Sequence, residues 1–258
     1  MAVTGVPSLT SRLASKSITT SETLDRLPPL DLSDRFNPFL THFMRETLRS
    51  GGEVQLAHEG DMPVALLLTE PSERVASVFS RSVLVTEELL KGRSEPAFYA
   101  EVDLPRRRET YHVYCVSFGP TFPSHRFRYR VRIASSSDLA PVRDLARELW
   151  GQFNDRWFSG FARAPETCFL VEIDGVLAGM AWATGLGTHG RLHSLAVRPG
   201  YRRMGVGTDL LFARLLWLER TGAREAISEI AEQNLPSRAV AERAGMRPVG
   251  RIFLYSSS

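Results

Sequence analysis

The stretch Arg191 to Thr208, RLHSLAVRPGYRRMGVGT, decides how the rest of the chain is read. Leu192, Leu195, Ala196 and Val197 form an apolar run that Pro199-Gly200 ends, the pattern of a strand leading into a turn. Beyond Gly205-Val206-Gly207, Leu211, Leu215 and Leu218 fall on one helical stripe, with Leu210 and Trp217 beside it. Gly222 suits the end of that helix. A basic turn containing two glycines therefore joins a strand to a helix N-terminus. Such a turn aims several backbone N–H groups and the positive end of the helix dipole at one spot. Gly205 and Gly207 let the backbone approach a bulky anion, and Arg202 and Arg203 add charge. A phosphate or pyrophosphate is the ligand that suits this geometry.

Two common phosphate motifs are excluded by the residues themselves. No Gly-Lys-Ser/Thr follows, so this is not a P-loop, and the three glycines of the dinucleotide fingerprint are missing. The spacing Arg202-x-x-Gly205-x-Gly207 resembles the acyl-CoA-binding motif of the GNAT superfamily of N-acyltransferases, Gln/Arg-x-x-Gly-x-Gly/Ala after a Leu-x-Val strand. The resemblance implies that the amides of Arg202, Arg203, Met204, Gly205, Val206, Gly207 and Thr208 hold the pyrophosphate of acetyl-CoA. It also implies that Leu195, Ala196 and Val197 pair with the pantetheine arm, and it places Asn234 on the cofactor side.

The chain around this motif fits the same family over about residues 127–255. Phe127, Tyr129, Val131 and Ile133 alternate with arginines, a half-buried strand. Ser135-Ser136-Ser137-Asp138 supplies helix caps, and Val142, Leu145, Ala146 and Leu149 the buried stripe of a helix. Trp150, Phe153, Trp157, Phe158 and Phe161 follow, either as core or as an apolar wall for an acceptor. CFLVEIDGVLAGMAWATG reads as a hairpin turning at Asp174-Gly175. After the motif helix come a strand at Ala226 to Ile230 and a helix capped by Asn234 with Pro236 in its first turn. Gly245-Met246 and a last strand at Arg251 to Tyr255 close the unit. The resemblance implies an α/β fold with a mixed sheet for residues 127–258.

Upstream, 258 residues leave room for a second domain. Residues 1–30, rich in Ser and Thr with Pro7, Pro28 and Pro29, are expected to form a disordered or loosely packed tail. Residues 31–120 read as an α+β domain. Phe36 to Leu48 have helical spacing up to Gly51-Gly52, and a strand–turn–strand turns at Glu59-Gly60-Asp61. A strand lies within Val75 to Val85, and a short helix is capped by Thr86. Strands then follow at Phe98 to Leu104 and Tyr111 to Phe118, with Arg106-Arg107-Arg108 as a solvated loop between them. Residues 121–126 are the expected linker. The N-terminal region is either a degenerate copy of the same fold or an unrelated domain. It holds no Arg-x-x-Gly-x-Gly, so a copy would have lost the cofactor loop.

Composition bounds the partners. Charged residues make up 24% and hydrophobic ones 43%, with a net charge of +3, too mild and too evenly spread to indicate nucleic acid. Cys115 and Cys168 form neither a metal pattern nor a disulfide framework, and no apolar run reaches the length of a membrane span. Taken with the resemblance, which implies a small-molecule or peptide amine as acceptor and a possible homodimer, the expectation is a cytoplasmic protein without metal.

The chemistry of that reaction sets what the site needs. An alkyl ammonium is neutral in only about one part in 2,500 at pH 7, so a base must take a proton before attack. The family often places a Glu about two residues before the Leu-x-Val. Here His193 stands there beside Ser194, and in some members a histidine at this place serves the proton path. A second histidine of those members falls on Arg191. His193 and Ser194 are therefore the candidate catalytic residues, a structural histidine being the alternative. Backbone N–H groups of Leu195 to Val197 would serve a tetrahedral oxyanion. Many members protonate the thiolate with a Tyr seven residues after the Asn cap; that position is Ala241. Its loss leaves a non-catalytic CoA-binding regulatory or scaffold module as the competing reading.

Overall fold

The computed structural model describes residues 13–19, 24, 27, 30–33, 35–70, 75–90, 93, 97–105, 108–120, 122–151, 161 and 164–256. Most of the expected N-terminal tail, Arg106-Arg107 and the aromatic residues Phe153, Trp157 and Phe158 lie outside the described residues. The chain divides into two compact units, residues 1–110 with 251–258, and residues 111–250. None of the described helices is long and apolar enough to cross a membrane.

The first unit is built on strands β1 (Leu13–Ile18), β2 (Glu53–Glu59), β3 (Met62–Glu70), β4 (Val75–Phe79) and β5 (Ala97–Ala100), with helices α1 (Leu40–Arg49) and α2 (Val83–Leu90). β1 pairs antiparallel with β2, β2 with β3, β3 with β4, and β4 runs parallel to β5. β1 corrects the expectation of a loose tail. Its sequence, LASKSI, buries only Ile18 fully, so nothing local announces a strand. The partner is the backbone edge of β2, which a composition reading cannot see. Thr86 is not the cap of α2. Ser82 Oγ accepts from Val85 N at 3.3 Å, and Thr86 sits buried one turn in, donating to Ser82 O at 2.9 Å. Arg108, expected in a solvated loop, instead pairs with Asp103 and lies over the Phe253 ring.

The second unit contains β6 (Arg108–Ser117, from Tyr111 on), β7 (Val131–Ile133), α3 (Leu139–Trp150), β8 (Glu166–Ile173), β9 (Val176–Leu186), β10 (His189–Val197), α4 (Val206–Arg220), β11 (Glu225–Ala231) and α5 (Leu235–Arg243). Its strands run in the order β6-β11-β10-β9-β8-β7, antiparallel except for the parallel pair β10 and β11. One face packs on α4 and α5 through Val206, Leu210, Leu215, Leu218 and Ala241; the other packs on α3 through Val142, Leu145, Cys168, Met180 and Trp182. Phe161 lies against the α3 side, while Trp150 is 38% exposed.

Two strands sit in a different unit from the one their place in the chain suggests. β6, expected upstream of the linker, pairs along its length with β11. The end of β12 (Arg247–Ser256), expected to close the C-terminal unit, pairs with β5, and the Tyr255 hydroxyl accepts from Leu104 N and donates to Val102 O. Sheet membership is a long-range choice of backbone edge, and alternation along a strand carries no record of it. β7 is also shorter than expected. The amides of Arg128 and Tyr129 donate to the buried Asp209 carboxylate at 2.9 and 2.8 Å, so they do not extend the strand ladder.

Candidate active site on strand β10

Strand β10 departs from regular pairing on both edges. Against β11 the parallel register runs from His189 opposite Glu225 to Leu192 opposite Ser228. Against β9, His193 faces Trp182 and Ala196 faces Met180, so Ser194 and Leu195 together oppose Ala181. This is a β-bulge, a device that re-aims the neighbouring side chains. Ser194 takes φ 53, the left-handed region that residues with a Cβ seldom enter. Side chains serve the carbonyls here. Ser228 Oγ donates to Leu192 O at 3.0 Å, and Arg214 donates to His193 O at 3.2 Å and Trp182 O at 3.0 Å.

The bulge brings His193 and Ser194 together with two residues that sequence reasoning missed. His193 Nε2 lies 3.0 Å from Glu166 Oε2 and 3.2 Å from Thr184 Oγ1, and its Nδ1 lies 3.1 Å from Ser194 Oγ. Thr184 Oγ1 donates its proton to Glu166 Oε1 at 2.7 Å, so toward the imidazole it accepts. Both neighbours of Nε2 are therefore acceptors, which puts the ring proton on Nε2. In the neutral ring Nδ1 then carries the lone pair and accepts from the Ser194 hydroxyl. Glu166 and Thr184 are cross-strand partners at one end of the β8–β9 ladder. In the sequence Glu166 is a polar residue two positions before the apolar run that opens at Cys168, a pattern with no chemical content until β10 is laid beside it.

The glycine turn joins β10 to α4 as expected, but the Arg202 amide, expected on the cofactor, donates to Pro199 O at 3.2 Å. Gly205, at the N-terminal boundary of α4, has φ +101, and Arg203 has φ 62. Arg202, Arg203 and Met204 are exposed, whereas the Val206 side chain is core. Gly207 lies in the first turn of α4, where an added Cβ would stand 3.7 Å from Leu195 and Val197 side-chain carbons. Arg202 Nε donates to Val197 O at 3.1 Å, tying the loop to the end of β10. Arg128 is a further cation at this loop. Its Cδ would meet a Cβ on Gly205 at 3.0 Å, and its NH1 donates to Met204 O at 3.4 Å. The Arg128-x-Arg130-x-Arg132 alternation had marked it only as the outer face of a strand. Asp209, in the first turn of α4, fixes this segment through the two amides above and through His125 Nε2 at 2.7 Å. The loop, the helix end and the parting of β10 from β11 fit a pyrophosphate followed by an extended arm.

Other predicted positions have structural duties. Asn234 caps α5, its side-chain oxygen accepting from Ser237 N at 3.3 Å. Ala196 is buried in the core on the α3 side, and Leu195 and Val197 are half-buried toward α4. Ala241 is packed inside the core with Tyr114, whose hydroxyl donates to Glu242 at 2.9 Å. Burial pushes the Cys168 thiol far above its ordinary range, and no nucleophile is available there. Burial also pushes the Arg214 guanidinium down to about 9.

Comparison with known proteins places this architecture. Residues 131–246 match the model of the acetyltransferase (GNAT) family. A tandem GNAT protein from the clavulanic acid biosynthesis pathway superposes with TM-score 0.62 at 16% identity, over 95% of this chain and 99% of that one. A GCN5-related N-acetyltransferase from Sphaerobacter thermophilus gives TM-score 0.61 at 15% identity over 95% of each chain. A Drosophila protein gives TM-score 0.63 at 15% identity, over 95% of this chain and 98% of its own. Such identities speak for the fold alone, and the superpositions run through the N-terminal region as well. No curated protein matches the sequence.

Proposed function

Because the chain carries a GNAT acetyltransferase domain over residues 131–246, an acyltransferase domain whose family draws on acetyl-CoA, we propose that it acetylates a primary amine by direct attack, with His193 as the base. The supporting observation is the chain Ser194–His193–Glu166 at the β10 bulge. With Nε2–H donating to Glu166, the Nδ1 lone pair faces the Ser194 hydroxyl. Ser194 Oγ can take the proton of the bound ammonium as it gives its own to Nδ1. The Glu166 carboxylate then faces the imidazolium that forms. Backbone N–H groups of Leu195 to Val197 receive the developing oxyanion. The amides from Arg203 to Thr208, with the side chains of Arg202, Arg203 and Arg128, hold the pyrophosphate; the Arg202 amide is spent on Pro199 O. Ala241 offers no proton to the departing thiolate, and a thiol with pKa about 8.5 leaves tolerably without one.

The test is a pH profile. His193→Ala is expected to lower kcat/KM by roughly 10²–10⁴, while the Kd for acetyl-CoA stays put because the loop is untouched. The acidic limb of the profile should change as well. A variant that stays active with an unaltered limb, and loses only thermal stability, shows His193 to be structural and removes it from the proposal. The core packing of Ala241 favours one competing reading, a CoA-binding regulatory module; absence of acetyl-CoA turnover across amines, peptide N-termini and aminoglycosides would establish it over catalysis.

A further inference from the structure

Arg214 is a cation in the wrong place for a structural residue. It lies on α4 with 3% of its surface exposed. Its hydrogen bonds go to carbonyls, Nε to Leu210 O at 3.1 Å and NH1 to Trp182 O and His193 O, and among the described residues no carboxylate pairs with it. Removing a guanidinium from water without a countercharge is costly, and a Leu or Met would cover the same core without that cost. The charge remains at neutral pH, since burial lowers its pKa only to about 9.

What the guanidinium grips explains its presence. Trp182 and His193 face each other across β9 and β10 at the last regular position before the bulge. NH1 bridges their two carbonyls, while Ser228 Oγ holds the carbonyl of Leu192 just before them. The backbone on which the proton path sits is thus held from α4 and from β11. We infer that Arg214 is a positioning residue: by bridging the Trp182 and His193 carbonyls it fixes the bulge, and with it the direction in which His193 and Ser194 face the acceptor. The inference rests on reading those two residues as the proton path.

The test uses the full chain with Arg214→Met and Arg214→Lys. Arg214→Met is expected to fold: it removes a desolvated charge but also takes a donor from the Trp182 and His193 carbonyls, so its melting temperature is read beside kcat and does not decide the inference. Its kcat should fall roughly 10²-fold with the KM and Kd for acetyl-CoA unchanged, the signature of displaced reacting groups beside an intact cofactor loop. Arg214→Lys, which can hold one carbonyl, should recover part of kcat. In amide NMR spectra of Arg214→Met, Trp182, His193 and Ser194 should shift, and Gly205 to Thr208 should not. Wild-type kcat in folded Arg214→Met overturns the inference, whatever its melting temperature. Should Arg214→Met fail to fold, Arg214→Lys decides: reduced kcat at constant KM supports the role and wild-type kcat overturns it. A wild-type protein that acetylates no amine would defeat the proposed function. Unmoved amides at Trp182, His193 and Ser194 would separately defeat this inference.

Discussion

Gly205 and Gly207 look alike in the sequence, and the structure predicts opposite outcomes when each becomes alanine. Gly205 has φ +101, where any L side chain is strained, and its new Cβ would press on Arg128 Cδ at 3.0 Å. The Arg128 side chain can move aside; the backbone cannot. Strain of this kind is of order 1–3 kcal/mol. At about 2–4 °C per kcal/mol for a chain of this size, Gly205→Ala should melt roughly 2–12 °C lower. If the free protein relieves the strain by resetting the turn, binding must restore it, and the Kd for acetyl-CoA should rise about 5- to 150-fold. Gly207 is helical, and its Cβ would make ordinary contacts with Leu195 and Val197 at 3.7 Å. There alanine gains about 0.5–1 kcal/mol of helix preference, so the melting temperature should rise by about 1–4 °C with Kd unchanged. Scanning calorimetry and titration calorimetry on the two variants check both halves. A Gly205→Ala protein that neither melts lower nor binds acetyl-CoA more weakly than wild type, or loss of binding by Gly207→Ala alone, would refute the assignment of the strained residue as the one that shapes the loop.

Two further predictions follow from packing and charge. Hydrogen bonds from Arg132 first of all, aided by those from Ser135, hold the Asp138 carboxyl well below the usual carboxylate range. A depressed folded-state pKa stabilises above the unfolded value, about 3.9, and that contribution is lost as pH falls through the folded one. Asp138→Asn should therefore be less stable than wild type at pH 5–7 in urea melts, and the gap should close progressively below about pH 4. An undiminished gap at the acid end would contradict the ion pair. Residues 111–250 expressed alone should bind acetyl-CoA, whereas 121–258, lacking β6, leaves the β11 edge unpaired and should aggregate or unfold on gel filtration. Stable, monomeric 121–258 would show that β6 is dispensable.

Local chemistry was legible in the sequence. The Gly205-x-Gly207 turn, the apolar stripe of α4, the Asp174-Gly175 hairpin and the Asn234 cap each rest on residues close together in the chain, and each stands where its pattern put it. His193 and Ser194 could be named as candidates because the family resemblance places a base just before the Leu-x-Val of this strand. Glu166, Arg128 and Arg214 could not be, because each makes its contact with a partner far along the chain: Glu166 meets His193 across β9, Arg128 is held beside the loop through Asp209, and Arg214 meets the bulge from the helix behind it. The same distance explains β6 and β12. Their alternation said strand, and the choice between β11 and β5 as neighbours belonged to backbone edges created only once the rest of each unit had formed. Periodicity and turn residues report interactions within a few residues. A bulge, a buried cation and the partner of a strand edge are set by contacts that only the assembled sheet makes available.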